Sequence, residues 1–139
     1  MNRNIVITLI SIILMSVAFS SCKDKKAESQ KLVKQGIEKI YESRFADALQ
    51  LFDKAIITDK KNPEAYFFRG NAFMNLKDFA KAIESYTKAI EIKQDYTEAY
   101  YNRGLVKSYM GERNFACEDF LKAESLGKKN IEDLTKWCK

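Results

Sequence analysis

Residues 63–96 read PEAYFFRGNAFMNLKDFAKAIESYTKAIEIKQDY, and this stretch decides the fold. Tyr66, Gly70 and Phe73, then Phe79, Ala82, Ile83, Tyr86, Ala89 and Ile90, recur at three- and four-residue spacing, which is the pattern of two amphipathic helices. Lys77 and Asp78 interrupt the run and mark the turn between them. Asn62-Pro63-Glu64 supplies an N-cap, a proline at the first helical position and an acid in the first turn, so a helix starts there. Thr97-Glu98 is expected to start the next helix in the same way. The stretch therefore predicts one helical hairpin.

Working outward, the same chemistry returns every 34 residues. Gly36, Gly70 and Gly104 form one column, Ala48, Ala82 and Ala116 a second, Ala55, Ala89 and Ala123 a third, and the rings of Phe52, Tyr86 and Phe120 a fourth. Four columns agreeing on one period in a chain with five glycines divide it into units 29–62, 63–96 and 97–130, with 131–139 left over. Each column has a mechanical reading. Glycine at the eighth position of a unit lets the second helix approach the first, the two alanines fill the same crossing, and the ring at the twenty-fourth position plugs the remaining space.

These residues resemble the tetratricopeptide repeat family, whose 34-residue helix-turn-helix carries an aromatic, Gly, Tyr or Phe, Ala, an aromatic and Ala in this order. The second unit matches with Tyr66, Gly70, Phe73, Ala82, Tyr86 and Ala89. The third has Tyr100, Gly104, Ala116, Phe120 and Ala123, with Lys107 in place of an aromatic. The first has Leu32, Gly36, Ala48, Phe52 and Ala55, with Gln35 and Lys39 where apolar residues are usual. The resemblance implies an all-α fold: a right-handed α-solenoid of three helical hairpins. Residues 131–139 are read as a C-terminal capping helix, with Gly127 ending the preceding helix, Asn130 as N-cap, and Ile131, Leu134 and Trp137 as the apolar stripe. If the cap folds back antiparallel, Cys117 and Cys138 meet as a disulfide; two buried free thiols are the alternative.

The amino terminus is read separately from the repeats. Arg3 is the only charge in the first 22 residues, and Ile5 to Phe19 form an apolar run of 15, several residues short of a bilayer. Phe19-Ser20-Ser21 lead into Cys22, after which the chain turns polar at Lys23-Asp24-Lys25-Lys26. This resembles a bacterial lipobox, with Phe19 where Leu is commoner. It implies a signal peptide over 1–21, lipidation at Cys22, a tether over 22–28, and a lipid-anchored protein of the bacterial cell envelope, at the outer membrane or the periplasmic face. An uncleaved signal anchor with an incidental cysteine is the other reading.

Composition excludes several functions. The chain has no histidine, so it has no His-based triad and no imidazole acid or base, and three scattered cysteines do not make a four-thiolate metal site. The net charge of +5 is spread thinly with no basic cluster, which argues against nucleic acid. No catalytic residue, cofactor site, metal site or small-molecule substrate is predicted.

Function is expected in the concave face. The resemblance implies that positions 2, 5, 9, 12 and 13 of each unit line a groove: Val33, Ile37, Ile40 and Tyr41; Glu64, Phe67, Asn71, Met74 and Asn75; Glu98, Tyr101, Leu105, Ser108 and Tyr109. Such an apolar, aromatic surface suits a protein or peptide partner, with Asn71 pairing to a backbone amide. Some of these residues are alternatively expected to pack between helices. Chaperone-binding members use a clamp of Lys, Asn and Arg around a carboxylate; this chain has Val33, Ile37, Phe68, Glu98 and Asn102 at those positions, so that specificity is not supported. Arg69 and Arg103, both at the seventh position, read as structural, with stems on the hairpin and heads in water. The expected function is a non-enzymatic scaffold for a partner protein; the alternative is an assembly subunit that uses its edges or convex face.

Overall fold

The computed structural model describes residues 24–138. The signal peptide expected over 1–21, and Cys22 with its expected lipid, lie outside the described residues. Helix α1 occupies 24–41, followed by α2 (Phe45–Thr58), α3 (Pro63–Asn75), α4 (Phe79–Ile92), α5 (Thr97–Tyr109), α6 (Arg113–Ser125) and the single-turn α7 (Glu132–Thr135). Residues 24–28, expected as a tether, are already helical. Their Lys, Ala and Glu side chains favour helix, and Lys31 sits 3.6 Å from Glu28 one turn back. The architecture is an all-α solenoid of three hairpins, α1/α2, α3/α4 and α5/α6. Successive hairpins join through α2 against α3 and α4 against α5.

The glycine column works by close approach. A Cβ on Gly70 would stand 2.6 Å from the Tyr86 ring and one on Gly104 2.8 Å from the Phe120 ring, and the Phe52 ring occupies the same place above Gly36. Two buried clusters result. One joins Val33, Ala48, Phe52, Ala55, Ala65 and Ala72 at the first junction; the other joins Phe67, Ala82, Tyr86, Ala89, Ile90, Tyr96, Ala99 and Val106 at the second.

The turns inside the hairpins also repeat. Ser43, Lys77 and Gly111 all take left-handed backbone, with φ of 58°, 60° and 82°. The amide that follows each one donates back to the preceding helix: Arg44 to Lys39, Asp78 to Phe73 and Glu112 to Lys107, each at 2.9 Å. The otherwise orphaned last carbonyls are thereby satisfied. Asn62 caps α3, its side chain accepting from Glu64 and Ala65 amides at 3.1 and 3.4 Å, and Pro63 is the first helical residue. Thr97 does not reproduce this. It is the first residue of α5, the N-cap is Tyr96 with no side-chain bond, and the Thr97 hydroxyl reaches the Leu126 carbonyl instead, at 3.4 Å.

Lys107 departs from the repeat pattern for a reason visible beside it. Asp119 is buried on α6 and receives two bonds from Arg103, at 2.9 and 2.6 Å, and an ion pair from Lys107 at 2.8 Å. In the second unit the same three places hold Ser85, Arg69 and Phe73. The aromatic was exchanged for a cation where the neighbour became an acid.

At the C-terminus, Gly127 (φ 92°) ends α6 and the Lys128 amide returns to Ala123 at 2.9 Å. Asn130, expected as a cap, instead lies in left-handed backbone at φ 59°, and Ile131 is the N-cap of α7, without a side-chain bond. Ile131 and Thr135 are buried, and the Thr135 hydroxyl donates to Glu124 at 3.0 Å. Trp137, expected in the apolar stripe, is 82% exposed. A helix of one turn does not carry its pattern far enough to bring Trp137 round to the buried face. Cys117 and Cys138 are bridged, with Cα atoms 5.3 Å apart across a sequence separation of 21.

Candidate functional site

Helices α1, α3 and α5 stand side by side, so equivalent positions on them form rows across the concave face. The position-5 row is the most sheltered. Val33 is buried against the Phe52 cluster, and Phe67 is only 8% exposed, its ring 5.1 Å from Phe68, 5.8 Å from Tyr86 and 5.0 Å from Tyr96. Both were expected to line the groove; their side chains are spent on the core. The third member, Tyr101, is half-buried, 6.1 Å from the Phe120 ring, with the Lys128 ammonium 4.6 Å from its face.

The rows at positions 9, 12 and 13 are more open. Ile37, Asn71 and Leu105 are half-buried, as are Ile40 and Met74. Tyr41 and Tyr109 are 86% and 70% exposed at the ends of α1 and α5, Tyr109 stacking on Phe79 at 6.2 Å. The surface is largely apolar and aromatic, with Asn75 and Ser108 exposed in the same rows and a polar cluster at its centre.

That cluster joins Asn71, Asn102 and Tyr86. The Asn71 carbonyl oxygen accepts from the Tyr86 hydroxyl at 2.8 Å and from the Asn102 amide at 3.0 Å. Burial pushes the Tyr86 phenol well above its ordinary range, so it remains a neutral donor. With its oxygen committed, Asn71 keeps its amide N–H groups for a ligand, and Asn102 keeps its carbonyl. One donor and one acceptor from adjacent helices match the two polar groups of a peptide bond. The sequence pointed to Asn71 as a partner for a backbone amide, and to Asn102 only as a clamp position without its cation. The signal was a spacing of 31, one helical turn short of the period, which brings position 6 of one helix beside position 9 of its neighbour.

The groove edge near the starts of α3 and α5 carries Glu64 and Glu98, both exposed. Tyr96 lies between the two repeats; burial first, then the charges of these two carboxylates, push its phenol upward. Lys26 and Lys61 line a shallow pocket with Glu64. No group of His, Cys, Asp or Glu among the described residues is arranged to hold a metal ion. No described helix is long and apolar enough to cross a membrane.

Arg69 and Arg103 stay out of the groove, and their heads are paired, contrary to the solvated heads expected. Arg69 donates to Ser85 at 3.1 Å and to Asp53 at 3.2 Å. Arg103 holds Asp119 and donates to Thr87 at 2.9 Å. The guanidiniums lie over the Tyr66 and Tyr100 rings, 5.4 and 5.5 Å from the centroids. Each arginine thus ties its own hairpin to the second helix of the preceding one.

Comparison with known proteins agrees with this geometry. The family model described as TPR repeat matches residues 70–111. Solved structures match most of the chain. The first TPR domain of Spaghetti (RPAP3), bound to an HSP90 peptide, superposes with a TM-score of 0.77 at 23% identity, over 81% of this chain and 91% of that one. The Arabidopsis OM64 TPR domain gives 0.74 at 24% identity, over 82% and 93%. MamA gives 0.74 at 27% identity, over 80% and 66%. No curated protein matches the sequence. The fold is that of a tetratricopeptide solenoid, and the family model and the structural neighbours both support that family.

Proposed function

We propose that the chain is a non-enzymatic scaffold that holds a peptide segment of a partner protein in its concave groove, tethered by an N-terminal lipid at the bacterial cell envelope. The observation that carries the reading is the Asn71–Asn102 pair, one free donor and one free acceptor set among Ile37, Met74 and Leu105. The paired amides fix the register of a ligand backbone, and the apolar rows and the two open tyrosines supply the contact area. That solved TPR domains of similar fold bind HSP90 peptides lends support to peptide binding as the mode. A chaperone-type clamp is not the mode, because no Lys or Arg stands here at the positions that carry one in the chaperone-binding members the sequence resembles.

Crosslinking in native membranes tests this directly. Tyr41→Glu with Tyr109→Glu, both at exposed sites that tolerate charge, should remove the crosslinked partner while leaving the fold intact by circular dichroism. Retention of the same partner would move the contact to the convex face, where Ile57 is strongly exposed on α2, and favour the assembly-subunit reading. Lipidation is tested on Cys22: Cys22→Ala should shift the protein from the membrane to the soluble fraction.

A further inference from the structure

The far end of the solenoid carries a second opening. A cleft of about 600 Å³ is lined by Ser108 of α5, by Arg113, Asn114, Cys117 and Phe120 of α6, and by Leu134 and Trp137 of the cap, with Asp133 at its rim. Its origin is in the repeat. The places of Arg113, Asn114 and Ser108 are held in the first two units by Phe45 and Phe79, by Ala46 and Ala80, and by Ile40 and Met74. In those units the phenylalanines, Ile40 and Met74 are half-buried, Phe79 stacking on Tyr109 of the next hairpin, while Ala46 and Ala80 stay exposed. In the third, α7 has one turn and covers only part of α6, and the uncovered part has changed from apolar to hydrogen-bonding.

The chemistry of this lining is specific. Among the described residues, the side chains of Arg113, Asn114 and Ser108 have no protein partner. The lining holds one cation, Arg113, and one anion, Asp133; the Asp133 carboxylate faces solvent and pairs with Lys136 at 3.0 Å, while the guanidinium has no ion-pair partner. The rest of the lining is apolar: the Leu134 side chain, Phe120 and an indole that is 82% exposed. Three donors with one positive charge, beside an apolar lining, complement an anion that carries an apolar group. The volume suits the last one to three residues of a chain.

We propose that this cleft binds the C-terminal end of a partner peptide, with the terminal carboxylate on Arg113 and the last, apolar side chain against Leu134, Phe120 and Trp137. A guanidinium presents two parallel donors to a carboxylate, and Asn114 and Ser108 add donors to the remaining lone pairs. The Cys117–Cys138 bridge holds the wall that carries Trp137 in place. The cleft shares Ser108 with the outer row of the concave groove, but its guanidinium and its apolar residues belong to α6 and the cap.

The chain contains one tryptophan, so Trp137 fluorescence reports this cleft alone. The oxidised protein is titrated with acetyl-Gly-Ala-Leu as the free acid and as the C-terminal amide. The free acid should give a saturable change. Amidation, or Arg113→Gln, should weaken it about 10- to 100-fold, the range for a hydrogen-bonded charge. Tyr41→Glu in the groove should leave it unaltered. Equal affinity for acid and amide, no saturable change into the millimolar range, or 3-phenylpropionate binding as tightly as the peptide would each overturn the proposal. Arg113 is exposed and supports no neighbour, so its substitution leaves folding intact and the comparison readable.

Discussion

At the residue scale, the instructive site is Asp119. A buried carboxylate survives in an otherwise apolar crossing because two cations reach it, Arg103 from the seventh position and Lys107 from the eleventh. Removing the acid alone strands both cations in a sheltered place. Asp119→Ala should therefore cost about 3 kcal/mol, the scale seen when one partner of a buried pair is deleted. Lys107→Phe together with Asp119→Ser rebuilds the arrangement of the second unit, where Arg69 meets Ser85, and should recover much of that loss. Urea unfolding of the single and double variants measures the coupling, and strict additivity would show that the three residues do not act together. Sequence alone showed Lys107 only as a missing aromatic. Its partner was invisible because Asp119 and Lys107 are twelve residues apart on different helices, and their meeting depends on how those helices cross.

At the element scale, legibility followed local rules. The Asn62-Pro63-Glu64 start and the Lys77-Asp78 turn could be read because capping is decided by neighbouring residues. The start of α5 could not: Thr97 has the right chemistry, yet the Leu126 carbonyl, distant in sequence, takes its hydroxyl. The cap is the clearest case of an element that does not stand by itself. One turn of helix is far below the length that is stable alone, so α7 depends on Ile131, on the Thr135–Glu124 bond and on the disulfide. Cross-linking a loop of this length contributes about 3 kcal/mol in the chain-entropy model. Cys138→Ser should lower global stability by an amount of that order in thermal unfolding. It should also make Lys128 and Lys129 the first sites cut by trypsin, while far-UV circular dichroism changes little.

At the scale of the whole molecule, the period was legible because each unit meets nearly the same neighbours, so the same residues recur. The groove was less legible for the same reason. Val33 and Phe67 occupy a row that faces the concave side in projection, but how much of a side chain reaches solvent depends on the bulk of the flanking helices, and here the Phe52 and Tyr86 rings close over it. A stack in which each hairpin touches only its neighbours should also open from its ends. Hydrogen exchange should show the slowest amides in α3, α4 and α5, which are covered on both sides, and the fastest in α7 and the first turn of α1. Uniform protection along the chain would contradict this nearest-neighbour picture.

The two arginines add a rule about lineage to this stack. Arg69 finds its outer partner in Asp53 and Arg103 in Thr87, both at the twenty-fifth position of the preceding unit. The units are consequently not interchangeable bricks. A tandem copy of residues 63–96 would set its arginine against Thr87 rather than Asp53, exchanging an ion pair for a neutral hydrogen bond. Growth of such an array by duplication thus carries a grammar, in which the sense of each unit is completed by the last word of the one before it.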